Sequence, residues 1–128
     1  MIPDEQRHSQ PLDAEIIVDP QQRAEQEARN GIRQFDAVLE RVDYWLQPER
    51  PFKLRPSAIL DLNRIALEGI NGFAGIYRPT GIEIKGSPQV PPLAHLVAGL
   101  VEEFCDYIND NWERSALHLA AYALWRLN

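Results

Sequence analysis

The sequence predicts a mainly α-helical fold, and three observations lead to this prediction. Apolar residues recur at steps of three and four through most of the 128-residue chain, which is the period of an amphipathic helix. Helix-capping residues precede these patterns: Asp19 before Pro20, then Ser57, then Ser115. Only residues 69–92 break the period, and they hold five of the seven glycines. We therefore expect a helical bundle with one irregular excursion.

The composition indicates one globular domain of acidic character. Hydrophobic residues make up 45% and charged residues 25% of the chain, a balance typical of a folded protein with a single core. Thirteen Lys and Arg against 19 Asp and Glu give a net charge of -6. Binding to a phosphate backbone needs the opposite sign, and the sequence has no basic stripe, so we do not expect nucleic acid as a partner.

Targeting signals are absent from the sequence pattern. The first residues are polar without an apolar stretch, which is unlike a signal peptide, and no run approaches the eighteen apolar residues of a membrane span. The single Cys105 has no partner for an internal disulfide and falls on an apolar helical face, where burial is expected. These features predict a cytoplasmic protein without a membrane partner.

The first part of the chain is predicted to contain one long helix. Residues 1–18 form a flexible tail in this interpretation, and residues 19–56 form an N-terminal helix followed by a proline-containing linker. The pair Asn30-Gly31 is predicted to interrupt the helix. Its apolar stripe is expected to face the core. The stripe consists of Ile32, Phe35, Leu39, Val42 and Leu46, and it is widened by Val38 and Trp45.

Residues 57–128 are predicted to add three helices. The first runs from about Ser57, as its N-cap, to Gly69, and the second opens at Pro91-Pro92. The last begins after Ser115 and is apolar on nearly every side, which is typical of a central, buried helix.

A β-hairpin is predicted at about residues 75–85. Apolar and polar residues alternate in Ile-Tyr-Arg (76–78) and Ile-Glu-Ile (82–84), and Pro-Thr-Gly (79–81) between them has the composition of a turn. A lone hairpin is only marginally stable in water, so it must lean on the helices as a flap. The alternative is an ordinary connection, although connections longer than about 15 residues are uncommon in compact domains.

The residue types do not assemble a recognisable active site. His8, His95 and His118 are far apart, and neither Cys-x-x-Cys nor His-Glu-x-x-His occurs, so no metal site is predicted. His118 is interpreted as a core histidine bonded to a neighbouring carbonyl. Cys105 has no base near it in sequence.

The residues around the hairpin resemble the Fic (Fido) family of protein AMP-transferases over roughly residues 57–128. The resemblance lies in their order and spacing, and it ends with Leu-His-Leu-Ala-Ala-Tyr-Ala-Leu-Trp-Arg-Leu-Asn at residues 117–128. Before that stretch, the matching positions are Gly75, Tyr77, Arg78, Ile82, Ile84, Gly86, Ser87, Pro91 and Pro92.

The resemblance implies a Fic-like helical bundle that transfers AMP from ATP, with Mg²⁺, to a hydroxyl of a protein substrate. In that family the flap aligns the target by strand-like pairing, and the last helix leads into the loop HPFx(D/E)GNGR. The His of that loop is the general base, and its other groups hold the phosphates and Mg²⁺. The target-docking flap residues implied here are Thr80, Gly81, Ile82, Glu83 and Ile84.

Because this sequence stops before the position of that loop, we expect an incomplete domain without transferase activity of its own. Neither ATP nor Mg²⁺ is expected to bind tightly to it, and uncovered apolar faces predict weak folding or self-association. The family's inhibitory motif is not transferred, because Arg64 stands where Ser or Thr would precede Glu68-Gly69. The alternative hypothesis is a non-enzymatic helical module that binds a protein partner through the hairpin edge.

Overall fold

The structure, a computed structural model, describes residues 15–79 and 92–127 and confirms a mainly α-helical fold. Within those ranges there are four α-helices and no strand, apart from one isolated bridge between Glu15 and Asn71. Each helix packs on the next one along the chain. The helices are α1 (Pro20–Trp45), α2 (Pro56–Leu67), α3 (Val97–Asp110), preceded by a 3₁₀ turn (Ala94–Leu96), and α4 (Ala116–Leu127).

Two of the three predicted N-caps are present. The Gln22 N–H donates to Asp19 Oδ2 over 3.0 Å, and the His118 N–H donates to Ser115 Oγ over 3.1 Å. The predicted cap at Ser57 is wrong: Arg55 is the N-cap residue of α2 and Pro56 is the first helical residue. Proline suits that position because it has no N–H to leave unsatisfied.

Helix α1 continues without a break through Asn30, contrary to the predicted interruption. The Asn30 side chain is completely buried, and its amide nitrogen donates to the carbonyl oxygens of Ala66 (3.1 Å) and Glu68 (2.8 Å) at the end of α2. Its amide oxygen accepts from Gln26 Nε2 over 2.9 Å. The last carbonyls of a helix lack partners within it, so Asn30 satisfies α2 while joining it to α1.

The predicted orientation of the α1 stripe is wrong. Its five main residues are exposed, from 45% at Val42 to 74% at Leu46, and only Trp45 at its end is half-buried, against Phe52. Helix α1 instead meets α2 through polar side chains; Gln34 Nε2, for example, donates to the Leu62 carbonyl over 3.0 Å. The period of apolar residues shows that a helix is amphipathic, but it does not show which face packs on its neighbour.

The main core lies on α3. Phe104, Cys105 and Ile108 are buried there, and partly buried side chains from the linker, α2 and α4 pack around them. The burial predicted for Cys105 is confirmed, with 2% of the residue exposed. Asn109 joins the linker to this core, because its amide accepts from the Leu54 N–H and donates to the Leu54 carbonyl, both over 2.8 Å.

Helix α4 is not the buried central helix that the sequence predicted. None of its described residues is buried, and Leu117 and Leu124 are 81% and 74% exposed. One side of α4, formed by Leu119, Tyr122 and Ala123, packs on the α3 core, and the opposite side is uncovered in the described part of the chain.

The predicted β-hairpin is not seen. Residues 76–79 form no strand, and residues 80–85 of the predicted hairpin lie outside the described ranges. Residues 15–18 end the segment predicted as a tail, and here the Ile16 N–H donates to the Ile70 carbonyl over 2.8 Å. None of the helices in the two described ranges is both long enough and apolar enough to cross a membrane.

Candidate functional site

The predicted flap residues Thr80, Gly81, Ile82, Glu83 and Ile84 lie outside the described residues, but both ends of their segment are described. The chain reaches Pro79 from α2 and resumes at Pro92 ahead of the 3₁₀ turn. The candidate site is therefore built from the residues that fix these two ends.

Arg78 connects the two ends directly. Its guanidinium donates a hydrogen bond to the Pro92 carbonyl oxygen, across fourteen positions of the sequence. An Arg side chain has five N–H donors in a fixed planar arrangement, so one such group can hold a backbone segment in a defined place. The described residues on either side of segment 80–91 therefore lie close together.

The segment between α2 and Arg78 (residues 68–77), called the lead-in below, turns sharply at two glycines. Gly69 and Gly75 have φ angles of +77° and +79°, a conformation that residues with a side chain rarely adopt. At Gly75 a Cβ atom would also stand 2.6 Å from Arg64 Cβ, so no other residue fits without movement. The Gly75 N–H donates to Asn63 Oδ1 over 3.0 Å, which fixes this turn to α2.

Tyr77 is partly buried at the end of this segment, and Cys105 is buried on α3. Burial raises the pKa of the Tyr77 hydroxyl, and charges at Cys105 and Glu102 add to the effect. Burial likewise raises the pKa of the Cys105 thiol, helped by Asp106 and Glu102. A thiol with a raised pKa is a poor nucleophile at neutral pH, so the surroundings of Cys105 suit packing rather than catalysis.

A groove of about 420 Å³ opens beside Arg78, between α2 and the start of α3. Its walls are mainly apolar and include Leu67, Phe73 and Val101. The volume falls within the range of small-molecule and side-chain sites. Among the described residues that line it are Tyr77 and Arg78 but no carboxylate, histidine or thiol, so this lining suits an apolar group.

His118 has a different partner from the predicted carbonyl. Its Nε2 atom lies 2.8 Å from the Tyr107 hydroxyl, and the two rings are stacked with centroids 6.1 Å apart. No group of three metal-ligating side chains occurs within residues 15–79 and 92–127. His118 is thus part of an aromatic contact between α3 and α4.

Sequence reasoning missed the asparagines that fix the lead-in. Asn63 binds Gly75, and Asn71 Oδ1 accepts the Phe73 N–H over 2.8 Å to close a local turn. Asn71-Gly72 is a common turn signal and could have located the second of these. Asn63 lies inside a helical pattern, where nothing in the sequence indicates a long-range partner.

Comparisons of the chain with protein-family models, with curated proteins and with solved structures found no match.

Proposed function

We propose that residues 57–128 are the amino-terminal part of a Fic-type domain, whose complete form transfers AMP from ATP to a hydroxyl side chain of a target protein. The observation that supports this best is the hydrogen bond from Arg78 to Pro92, which holds together the ends of the segment that matches the family's flap. A segment that has to present an edge to another protein needs such a fixed base.

The motif residues Gly75, Tyr77 and Arg78 each have a physical task at that base. Gly75 takes a positive φ next to Arg64, Tyr77 lines the groove, and Arg78 bonds the opposite end. The three residue types are therefore needed together at this spacing, which makes a chance resemblance less easy to explain. In this proposal the target chain pairs with residues 80–84 through its backbone, and one of its apolar side chains enters the neighbouring groove.

The catalytic part of such a domain would come from elsewhere than the described residues. Among these, no group of three His, Cys, Asp or Glu side chains is placed to hold a metal ion. We assign the uncovered side of α4, with Leu124 and Trp125, to packing against the remainder of the domain. At the catalytic site of such a domain, ATP and Mg²⁺ would bind only when that remainder is present.

The proposal is tested first on the gene. We expect the coding sequence after the Asn128 codon to continue in frame into HPFx(D/E)GNGR. The polypeptide encoded in full should then transfer label from α-³²P-ATP to a protein, and the variant with the loop histidine replaced by Ala should not. A polypeptide that ends at Asn128 in the cell would contradict the proposal.

The flap is tested on the same full polypeptide. Ile82→Pro removes a backbone donor and fixes φ, so target affinity per folded molecule should be lost, whereas Glu83→Gln, which leaves the backbone intact, should keep it. Equal affinities for Ile82→Pro and the parent would remove the flap from the function.

The second candidate is a non-enzymatic module that binds a partner through the same edge. The hydrogen bond between Arg78 and Pro92, which holds the ends of the segment together, would serve binding equally well. The two candidates differ in the gene test: a natural end at Asn128, with binding still sensitive to Ile82→Pro, supports the module.

A further inference from the structure

A cationic cleft of about 360 Å³ lies at the other end of α2, where the end of α1, the linker and the start of α2 meet. Arg41, Arg50, Lys53 and Arg55 line it, and none of the lining residues within the described part of the chain is acidic. Four of the chain's 13 Lys and Arg thus surround one concavity in a protein with a net charge of -6. The cluster is not apparent in the sequence, because its four members are distributed over fifteen residues.

Two of the four cations are held in place by neighbours. Arg41 pairs with Asp61, and the same carboxylate accepts hydrogen bonds from Arg64 Nη2 (3.0 Å) and Nε (3.2 Å). Because one carboxylate serves two guanidinium groups, it does not neutralise both. The Arg50 guanidinium carbon lies 4.3 Å from the centre of the Tyr44 ring, a cation–π contact that limits its motion.

The remaining charge in the cleft has no internal counterpart. Across residues 15–79 and 92–127, no carboxylate forms an ion pair with Arg50, Lys53 or Arg55. Positive groups that converge without a counterion raise the local potential and attract anions, even when the whole protein is acidic.

The start of α2 adds a hydroxyl group and the positive end of a helix dipole to the same place. Ser57 in the first turn of this twelve-residue helix lines the cleft. Pro56 has no N–H and the Ala58 N–H donates to the Arg55 carbonyl over 3.0 Å, so it is the partial positive charge of the helix N-terminus, and not a set of unsatisfied N–H groups, that favours a bound anion. This feature supplements the four side chains and points at the same volume.

We propose that this cleft binds a small ligand through a diphosphate group. Guanidinium groups match the oxygens of a phosphoryl group with paired hydrogen bonds, and cations on several sides of the cleft fit two adjacent phosphoryl groups better than one. The cleft volume suits a small molecule. Tyr44 is half exposed beside the cations, so a ligand ring can rest against it when the diphosphate belongs to a nucleotide.

The test is a titration of the 128-residue chain with pyrophosphate and, separately, with ADP. Binding is followed by the indole NMR signal of Trp45, which lines the cleft, and thermal melts verify that each variant is folded. Arg50→Gln and Lys53→Gln should each weaken pyrophosphate binding roughly tenfold, as expected for loss of one charge-assisted hydrogen bond.

Arg29→Gln is the matched control. It makes the same charge change on an exposed part of α1 that lies about 22 Å from Tyr44 along the helix axis, and it should alter the affinity less than about twofold. Tighter binding of ADP than of pyrophosphate identifies a nucleotide as the source of the diphosphate, and equal binding identifies a ligand without a contacting ring.

Two outcomes overturn the proposal. One is that neither probe shifts the Trp45 signal. The other is that the cleft variants and Arg29→Gln weaken binding equally, which would show general charge attraction instead of a site.

Discussion

The two helix pairs at opposite ends of the chain are joined by different kinds of contact. Helix α1 meets α2 through polar groups, with Asn30 buried between them and Arg33 paired to Glu68 at the edge. Helix α4 meets α3 through stacked rings, with Tyr107 and Tyr122 only 3.8 Å apart between centroids. Both contacts are local in the chain order, yet one depends on hydrogen-bond geometry and the other on apolar area.

This difference explains why α1 shows an exposed apolar stripe. If Asn30 moved away from the end of α2, the buried carbonyl groups that it bonds would lose their hydrogen-bond donor. The polar side of α1 therefore faces α2, and the apolar stripe faces outward. At α4 the ring contacts involve only one side of an almost wholly apolar helix, so the remaining side is uncovered as well.

The largest effect is expected from a substitution that removes the aromatic contact between α3 and α4. Tyr122→Ala removes a ring that stacks on Tyr107 and on Phe104, so we expect a loss of about 3 kcal/mol in the free energy of unfolding. The measurement is urea denaturation followed by circular dichroism. Leu124→Ala, on the exposed side of the same helix, should cost less than about 1 kcal/mol, since little of its surface is buried. Equal losses would mean that α4 packs differently.

The next effect breaks the polar contact. Asn30→Ala leaves the carbonyls of Ala66 and Glu68 without their donor in a buried place, and we expect a loss of about 2 kcal/mol. Asp36→Ala on the exposed side of α1 is the control and should change stability by less than about 0.5 kcal/mol. If Asn30→Ala were as mild as the control, polar packing would not be what orients α1.

The comparison also shows how far the sequence predicts this fold. The four helices of the described ranges, the caps at Asp19 and Ser115 and the burial of Cys105 follow from local patterns and are confirmed. The inward face of α1 could not be predicted, because it depends on a bond between Asn30 and residues 36 and 38 positions away.

The Arg78–Pro92 region and the cationic cleft also differ in how much of them could be predicted from the sequence. Residues at the two ends of segment 80–91 were partly found, since Gly75, Tyr77 and Arg78 are neighbours in sequence. The cationic cleft was missed, because Arg41 and Arg55 come together only after the linker folds back on α1. Periodicity reports on neighbours along one element, and it contains no information on contacts between elements.

A smaller effect concerns alkaline pH and sharpens the description of the aromatic side. The Cys105 pKa is raised above its ordinary value of 9.0 mainly by burial, so the folded state keeps its thiol proton to higher pH than the unfolded chain does. The contribution of the neutral thiol is therefore complete below the unfolded pKa and is lost as pH rises from there through the folded pKa.

We accordingly expect stability to fall above about pH 9 in the parent and to fall less steeply in Cys105→Ala. Part of the slope should remain, because the Tyr77 pKa is raised by burial too. The measurement is the urea midpoint between pH 7 and 10.5. Identical slopes for the two proteins would show that the thiol is not buried as described.

The smallest effect concerns the exposed ion pair at the edge of the α1–α2 contact, as distinct from the buried hydrogen bonds of Asn30. Arg33 Nη2 lies 2.8 Å from Glu68 Oε2, but both side chains are about half exposed, so the pair should contribute only about 0.5 kcal/mol and should weaken with salt. A double-mutant cycle with Arg33→Gln and Glu68→Gln measures the coupling free energy, and Arg29→Gln serves as the single-charge control. Because the Glu68 carbonyl bonded by Asn30 is retained in Glu68→Gln, the cycle leaves the buried contact intact. A coupling free energy above about 2 kcal/mol would instead assign the orientation of α1 to this ion pair.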